Sequence, residues 1–219
     1  MSAVALADET TIGSLSLRNE PVQARSAARL TGLLDAAAAV IDELGYERLT
    51  TAMVAERAGA SIGTVYRYFP DRIAVLQALG ARNLDRVLTR VSDEVTNERH
   101  SSWMDALTAA FDVLKDAFQN EAGFRSLRVG DVIDLRPAPN ARPYNSVVAE
   151  AMHEGLIKRF GVTDSAEARF AFEAAIEISD ALASRAFSSE TAGETAFLEV
   201  ARDTTYALLQ PHFGAPVAP

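Results

Sequence analysis

The chain has 219 residues, 48% of them hydrophobic, so it can bury a sizeable core and global disorder is excluded. It contains no cysteine, which excludes a disulfide framework, thiolate metal sites and cysteine catalysis. The formal net charge is −9, and no run approaches the roughly 18 uncharged apolar residues of a membrane span. The N-terminus lacks the basic and apolar regions of a signal peptide, so we expect a cytoplasmic protein without membrane contacts.

The first predicted helix covers residues 23–44. Residues 1–22 mix Ser, Thr and acidic residues without periodicity and include Pro21 near their end, so we predict a flexible tail there. From residue 23 onward, apolar residues recur at the three- and four-residue spacing of an amphipathic helix. Gly45 then ends the helix.

The next predicted element is a short helix followed by a tight turn. Thr50 or Thr51 can cap this helix, which runs to Ala58. Gly59 follows at once and permits the positive φ that such a turn needs.

Two further helices follow this turn. Ser61 can cap the third helix, which ends before Pro70 because a residue preceding proline avoids helical backbone angles. Asp71 is the expected N-cap of a fourth helix that runs toward Arg99.

The rest of the chain also predicts helices. Apolar periodicity indicates helices over residues 102–120, 144–160, 165–187 and 194–209, with a short helix and loop over 121–135. No stretch of useful length alternates apolar and polar residues as a strand does. The sequence therefore predicts an all-α fold, with a three-helix unit over 23–70 and a larger helical domain over 71–219.

The helix that follows Ser61 carries residue types that bind DNA. Val65 and Phe69 lie four positions apart and are expected to face inward. The outward side chains are then Ile62, Gly63, Thr64, Arg67 and Tyr68. In a helix-turn-helix unit such a helix enters the major groove, where hydroxyls suit phosphate oxygens and an arginine reads guanine or neutralises phosphate. Two alternatives stay open, namely a small solvated helix and a Tyr66 ring that packs into the domain core.

The distribution of charge is compatible with DNA binding. Residues 18–91 contain 10 Arg and 8 Asp or Glu, whereas residues 92–219 contain 11 Lys or Arg and 20 Asp or Glu. The acidic excess therefore lies mainly outside the helix-turn-helix segment. Because the basic excess is small, we expect modest non-specific affinity that depends strongly on salt.

The sequence of residues 45–72, GYERLTTAMVAERAGASIGTVYRYFPDR, resembles the DNA-binding region of the tetracycline-repressor (TetR) family of transcriptional regulators. The matching positions are Gly45–Tyr46, Thr50, Val54–Ala55, Ala58–Gly59, Ser61, Gly63–Thr64, Tyr66, Tyr68–Phe69 and Arg72. The preceding LLDAAAAVIDELG is similar to the first helix of the family, so the resemblance covers residues 25–80. It implies a homodimer with a C-terminal effector-binding domain.

The resemblance also implies roles for individual residues. Thr51, Tyr68 and Arg72 would hold the phosphate backbone, while Thr64 and Tyr66 would lie in or beside the groove. The full set of candidate DNA-binding residues is Thr51, Ser61, Ile62, Gly63, Thr64, Tyr66, Arg67, Tyr68 and Arg72. Arg72 can alternatively be a solvated residue at a helix start, where the helix dipole disfavours a cation.

Three positions depart from the family pattern. Ala52 and Met53 stand where relatives often have charged residues, so a phosphate contact and a capping-box partner are missing there. Ile62 replaces a residue that is frequently polar or basic, and it can instead pack on a thymine methyl group.

The last two long helices are candidates for dimerisation, as the family resemblance implies. The candidate interface residues are Ala171, Ala174, Ala175, Ile178, Leu182, Val200, Thr204, Ala207 and Leu208. Packing within one subunit is the alternative for each of them. A two-fold operator favours dimerisation, because it needs two reading helices about one duplex turn apart.

Large apolar residues of the C-terminal domain are candidates for lining an effector cavity. They are Trp103, Leu107, Phe111, Phe118, Phe124, Tyr144, Val148, Met152, Phe172 and Ile176. An ordinary core is the alternative for each of them. Arg125, Arg128, Asp131 and Asp134 can orient a ligand, although surface ion pairing ranks first for these four.

The leading hypothesis is a DNA-binding transcriptional regulator, a ligand-released repressor that acts as a homodimer on a palindromic operator. Its effector would be a small hydrophobic or amphipathic molecule. The alternative is a small-molecule-binding helical protein that has lost sequence-specific DNA binding. We expect no metal site, no cofactor and no enzymatic activity, because the sequence offers no metal-ligand spacing, nucleophile elbow or phosphate-binding glycine loop.

Overall fold

The computed structural model describes residues 9–129, 143–189 and 193–214, with side chains from residue 24 onward except that of Tyr144. The regular structure of these residues is helical, which confirms the predicted fold class. The helices are α1 (Glu9–Leu44), α2 (Thr51–Arg57), α3 (Ile62–Tyr68), α4 (Arg72–Val95), α5 (Trp103–Asn120), α6 (Phe124–Val129), α7 (Tyr144–Phe160), α8 (Ala166–Ala186) and α9 (Thr195–Phe213). A 3₁₀ turn, Tyr46–Arg48, separates α1 from α2.

Side-chain caps start the helices of the N-terminal unit. Thr50, Ser61 and Asp71 each accept a hydrogen bond from the backbone N–H three residues further on, at 3.2, 3.1 and 2.8 Å. Each cap satisfies one of the free donors at a helix start. Gly59 adopts the expected positive φ of 58° between α2 and α3. These local predictions are therefore confirmed.

Helix α1 begins within the segment that the sequence predicts as a flexible tail. It starts at Glu9 and continues through Pro21 to Leu44, whereas residues 1–8 lie outside the described part of the chain. A proline in a helix interior removes one backbone hydrogen bond and crowds the carbonyl four residues earlier, so a long helix continues past it at a local cost. The predicted helix start at residue 23 is thus wrong, whereas the flexibility of residues 1–22 stays a prediction.

Helix α4 ends at Val95 and does not reach Arg99. The Thr96 hydroxyl donates to the carbonyl of Ser92 at 2.8 Å, and the Asn97 side chain accepts the backbone N–H of Arg99 at 3.0 Å. Such side-chain bonds compete with the helical pattern and favour a turn.

Helix α9 extends past the predicted end at residue 209 because its last turn has tertiary partners. The ring of Phe213 packs edge-on against Trp103, with 5.5 Å between the ring centroids. The Trp103 indole N–H also donates to the carbonyl of Gly214 at 3.2 Å. Apolar packing and a hydrogen bond therefore stabilise the last helical turn, which contains Pro211. Proline usually ends a helix, so the sequence alone predicts an earlier end.

The buried residues form two hydrophobic clusters. One joins α1, α2, α3 and the start of α4, and includes Leu127 of α6. The other joins α5, α7, α8 and α9 with the second half of α4, and includes Phe124 of α6. Helix α6 thus contributes to both clusters. None of the helices in the described ranges is long and apolar enough to cross a bilayer.

Candidate nucleic-acid interface and ligand cavity

Helix α3 presents a clear division between a buried and an exposed side. Val65 and Phe69 are buried in the N-terminal cluster, as their spacing predicts. Ile62 is 43% exposed and Tyr66 is 54% exposed, so Tyr66 does not pack into the domain core. The other candidate residues of this helix are Gly63 and Arg67, which are exposed, and Thr64 and Tyr68, which are partly buried.

The hydroxyl groups around α3 hold one another in place. The Thr51 hydroxyl donates to the Tyr66 phenol oxygen at 3.4 Å, which brings the start of α2 beside α3. The hydroxyls of Ser61 and Thr64 lie 2.9 Å apart. These contacts orient polar groups on one exposed surface, where they can exchange partners with phosphate oxygens or base edges.

Arg72 has a structural explanation that the sequence did not reveal. Its guanidinium Nη1 donates to the backbone carbonyls of Glu47 and Tyr46 at 2.9 and 3.4 Å. It therefore braces the 3₁₀ turn against the start of α4. A cation at this helix start no longer requires a phosphate to explain it, and its role in DNA binding stays a prediction.

Two arginines of α1 lie beside α3, and the sequence prediction of DNA-binding residues did not include them. Arg25 and Arg29 line one open groove together with Arg67 and Tyr68 of α3. The Tyr68 hydroxyl lies 3.1 Å from the Ser26 hydroxyl in the same groove. The four-residue spacing in RSAAR places both arginines on one side of a helix, and this signal is visible in the sequence.

The C-terminal domain contains a mostly apolar cavity with a volume of about 70 Å³, which is lined by residues of all six helices from α4 to α9. Seven predicted residues line it, namely Leu107, Phe111, Phe124, Val148, Met152, Phe172 and Ile176. Phe118 instead stacks on Phe187 and borders a neighbouring groove between α5, α8 and α9. Trp103 packs at the start of α5, and the side chain of Tyr144 lies outside the described residues.

A polar cluster forms one part of the cavity wall. Arg128 of α6 makes an ion pair with Asp180 of α8. The side-chain amide of Asn145, on α7, donates to Asp180 at 3.2 Å and to Glu177 at 2.9 Å. Arg128 is therefore ion-paired, as its sequence context suggests, but the pair lies at the cavity. Asp131 and Asp134 lie outside the described residues.

The predicted dimerisation residues divide into two groups. Ala171 and Ala175 are buried inside the subunit, and Ala175 lines the cavity, so these two are not placed for an intersubunit contact. Among the others, Ile178 is 37% and Val200 52% exposed, and Ala174, Leu182, Thr204, Ala207 and Leu208 are partly or fully exposed. Phe170, also on α8, is 74% exposed, although the sequence prediction omitted it.

The segment before α6 links the cavity to the helix-turn-helix unit. The backbone N–H of Gly123 donates to the Asp42 carboxylate of α1 at 2.9 Å. The Asn83 amide of α4 donates to the carbonyl of Ala122 at 3.0 Å. Because α6 also carries Arg128, one short segment contacts the cavity, α1 and α4.

His153 is buried beside the cavity-lining helix α8. Its ring stacks on Phe172 and Phe213, with 5.4 Å between centroids in each pair. Burial lowers the pKa of this imidazole, although a hydrogen-bonding contact of 3.1 Å between Nε2 and the Thr163 carbonyl partly opposes that change. It is thus expected to be neutral at pH 7 and to act as a packed aromatic residue.

Two family models match the chain. One, described as "Bacterial regulatory proteins, tetR family", matches residues 33–79. The other, described as "Tetracyclin repressor-like, C-terminal domain", matches residues 101–213, more than half of the chain. The chain belongs to the TetR family. Its helix-turn-helix unit and its helical C-terminal domain are therefore the two parts of a TetR-family protein.

Individual relatives agree with this assignment. A TetR-family transcriptional regulator from Streptomyces coelicolor is 33% identical, with a TM-score of 0.69, over 85% of this chain and 98% of that one. The HTH-type transcriptional repressor KstR of Mycolicibacterium smegmatis is 34% identical over 87 residues, 40% of this chain. That match spans only 38% of the KstR chain. A Pectobacterium atrosepticum TetR-family regulator shares the fold, with a TM-score of 0.64 at 19% identity.

Proposed function

We propose that this TetR-family protein is a DNA-binding transcriptional repressor that acts as a homodimer and is released from its operator by a small apolar or amphipathic molecule. The observation that carries the proposal is the outward side of α3, where Tyr66 and Arg67 stand exposed on a helix anchored by Val65 and Phe69. The relative KstR is named a transcriptional repressor, which supports repression as the mode of control.

Helix α3 would enter the major groove of the operator. Thr64 and Tyr66 would approach base edges, while Thr51 and Tyr68 would bind phosphates. Arg25 and Arg29 would add two positive charges on the same side as Arg67, which strengthens the small basic excess of this region.

The dimer would form through α8 and α9, which pack on each other within the subunit. Phe170, Ile178 and Val200 leave an exposed apolar strip on these helices. A two-fold axis through this strip would pair the subunits, and two reading helices about one duplex turn apart would then match a palindromic operator.

Effector binding would have to enlarge the cavity. Its volume of about 70 Å³ is far below the roughly 300 Å³ of a typical ligand site. Expansion would move the walls, and α4 and α6 are the two walls that also contact the helix-turn-helix unit. A ligand that binds the expanded state better would thereby shift the population away from the DNA-binding state.

Selection of bound fragments from random DNA tests the proposal. We expect a two-fold symmetric consensus sequence whose complex with the protein weakens as salt is raised. Recovery of no consensus sequence, together with binding of small apolar molecules, would instead favour a ligand-binding protein that has lost sequence-specific DNA recognition.

A further inference from the structure

The cavity wall is apolar except for two groups of polar side chains among the described residues. Ser179 and Thr205 satisfy each other through their hydroxyls, 2.9 Å apart, and Thr205 also donates to a backbone carbonyl at 2.9 Å. The second group contains Arg128, Asn145 and Asp180, which come from three different helices. Recognition of a charged part of a ligand would therefore fall to the second group.

The described side chains around this second group carry more negative than positive charge. Glu173, Glu177 and Asp180 follow one another at four- and three-residue spacing on α8, so their carboxylates share one side of that helix. They receive hydrogen bonds from Ser146, Asn145 and Arg128, respectively. Of these three carboxylates, Asp180 lines the cavity, whereas Glu177 is exposed and is joined to Asp180 through their shared donor, Asn145. The described part of this group thus holds two adjacent carboxylates, Asp180 and Glu177, beside the guanidinium of Arg128.

We propose that the effector is an apolar amine, an inference that rests on the function proposed above. Its protonated head group binds Asp180 and Glu177, and its apolar part occupies the cavity. An ammonium group supplies three hydrogen-bond donors and a positive charge, which is what this acidic wall accepts. It would compete with Arg128 for the Asp180 carboxylate.

A carboxylic acid of the same shape fits this wall poorly. The amide of Asn145 and the hydroxyl of Ser146 already donate to carboxylates, so a second anion would have to displace them. It would also lie close to Asp180 and Glu177 at a partly buried site, where like charges repel more strongly than in water.

Displacement of Arg128 would also give the amine a route to the DNA-binding unit. The Arg128–Asp180 ion pair joins α6 to α8, and the segment just before α6 joins α1 through the bond between Gly123 and Asp42. An amine that replaces Arg128 at Asp180 removes one of these attachments. Helix α6 is then held less firmly to α8 while the cavity expands.

The test uses three probes with the same octyl chain, namely octylamine, octanol and octanoate. Binding of each probe to the full chain is measured by isothermal titration calorimetry at pH 7, where an alkylamine is protonated because its pKa lies near 10. We expect the dissociation constant of octylamine to be at least about tenfold lower than that of octanoate. Octanol is expected to fall between them.

The variants Asp180→Asn and Glu177→Gln identify the site of this preference. Asp180→Asn keeps a side chain that can accept from Asn145, and it is expected to reduce the preference for octylamine over octanoate to within about threefold. Glu177→Gln should produce a smaller reduction in the same direction, and it serves as the second test if Asp180→Asn fails to fold. The control is Asp116→Asn, because Asp116 is also paired with an arginine, Arg90, but lies outside the cavity.

Equal or tighter binding of octanoate, or an unchanged preference in both Asp180→Asn and Glu177→Gln, would overturn the amine assignment. Absence of binding by all three probes would overturn it as well. None of these three results bears on DNA recognition, which the selection of bound DNA fragments tests separately. A failure of this inference is thereby distinguished from a failure of the proposed regulator function.

Discussion

Arg67 carries an exposed guanidinium near the centre of the proposed DNA-binding surface, 5.9 Å from the ring centroid of Tyr68. Arg67→Ala is expected to weaken DNA binding and to reduce the salt slope by about one per subunit, because one phosphate or base contact is lost. Fluorescence anisotropy over a range of salt concentrations measures both effects. The control is Arg86→Ala, which removes an arginine paired with Glu121 at 2.9 Å, far along α4. Equal losses in the two variants would contradict the assignment.

His153 makes stability depend on pH in a defined direction. Burial lowers the pKa of its imidazole below the ordinary value of 6.5, so the unfolded chain binds the proton more readily than the folded chain. The contribution of this residue is complete above pH 6.5 and is lost as the pH falls, by up to about 1.4 kcal/mol per pH unit. Urea unfolding at pH 7.5 and 5.5 measures the loss, and His153→Gln should reduce it. A pH dependence that is unchanged in the variant would rule out this origin.

At the residue scale, the sequence predicts contacts that are local and misses those that are not. The caps at Ser61 and Asp71 follow from side chains that bond three residues further along the chain. The partner of Arg72 is a pair of backbone carbonyls about 25 residues away, and backbone carbonyls carry no residue-specific signal. The pairing of Arg128 with Asp180 spans 52 residues, and the sequence indicated only a generic surface ion pair for Arg128.

The link before α6 depends on close packing at Gly123. This residue has a φ of 73°, and a Cβ atom there would lie 3.3 Å from Leu79 Cδ2 and 3.5 Å from the Ala38 Cα. Gly161 has a similar φ of 63°, but its added Cβ would meet no described atom within 4 Å. Gly161→Ala should therefore cost about 1–2 kcal/mol of unfolding free energy through backbone strain alone. Gly123→Ala should cost more, because it also disturbs packing between α1 and α4.

Chemical unfolding of both glycine variants measures this difference. Equal destabilisation would mean that the segment before α6 can shift without resistance, and it would argue against α6 as a coupling element. A larger loss in Gly123→Ala supports tight attachment of this segment to the helix-turn-helix unit.

At the element scale, apolar periodicity predicts where the helices lie, but it does not predict correctly which side of α8 is buried. The helix is rich in alanine, so small apolar residues occur on its buried and exposed sides alike. Ala171 and Ala175 were therefore expected at an interface although they are buried, and Phe170 was omitted although it is largely exposed. The orientation of α8 depends on its packing against α7 and α9. The sequence of α8 alone does not determine that packing.

The proposed dimer makes a prediction for the whole molecule. Ile178→Lys and Val200→Lys place charges on the exposed strip of α8 and α9, so they should shift the protein from twice the chain mass to the chain mass in sedimentation experiments. Val147→Lys is the matched control, because Val147 is 40% exposed on α7, outside the strip. A dimer that survives both strip substitutions would place the interface elsewhere.

The central claim for the whole molecule is sequence-specific recognition of DNA by α3. The most direct measurement compares the affinity of the protein for its selected palindrome with that for a shuffled fragment of the same composition, at physiological salt. We predict that the palindrome binds at least about a thousandfold more tightly, as specific DNA-binding proteins do. Equal affinities for the two fragments would contradict the claim.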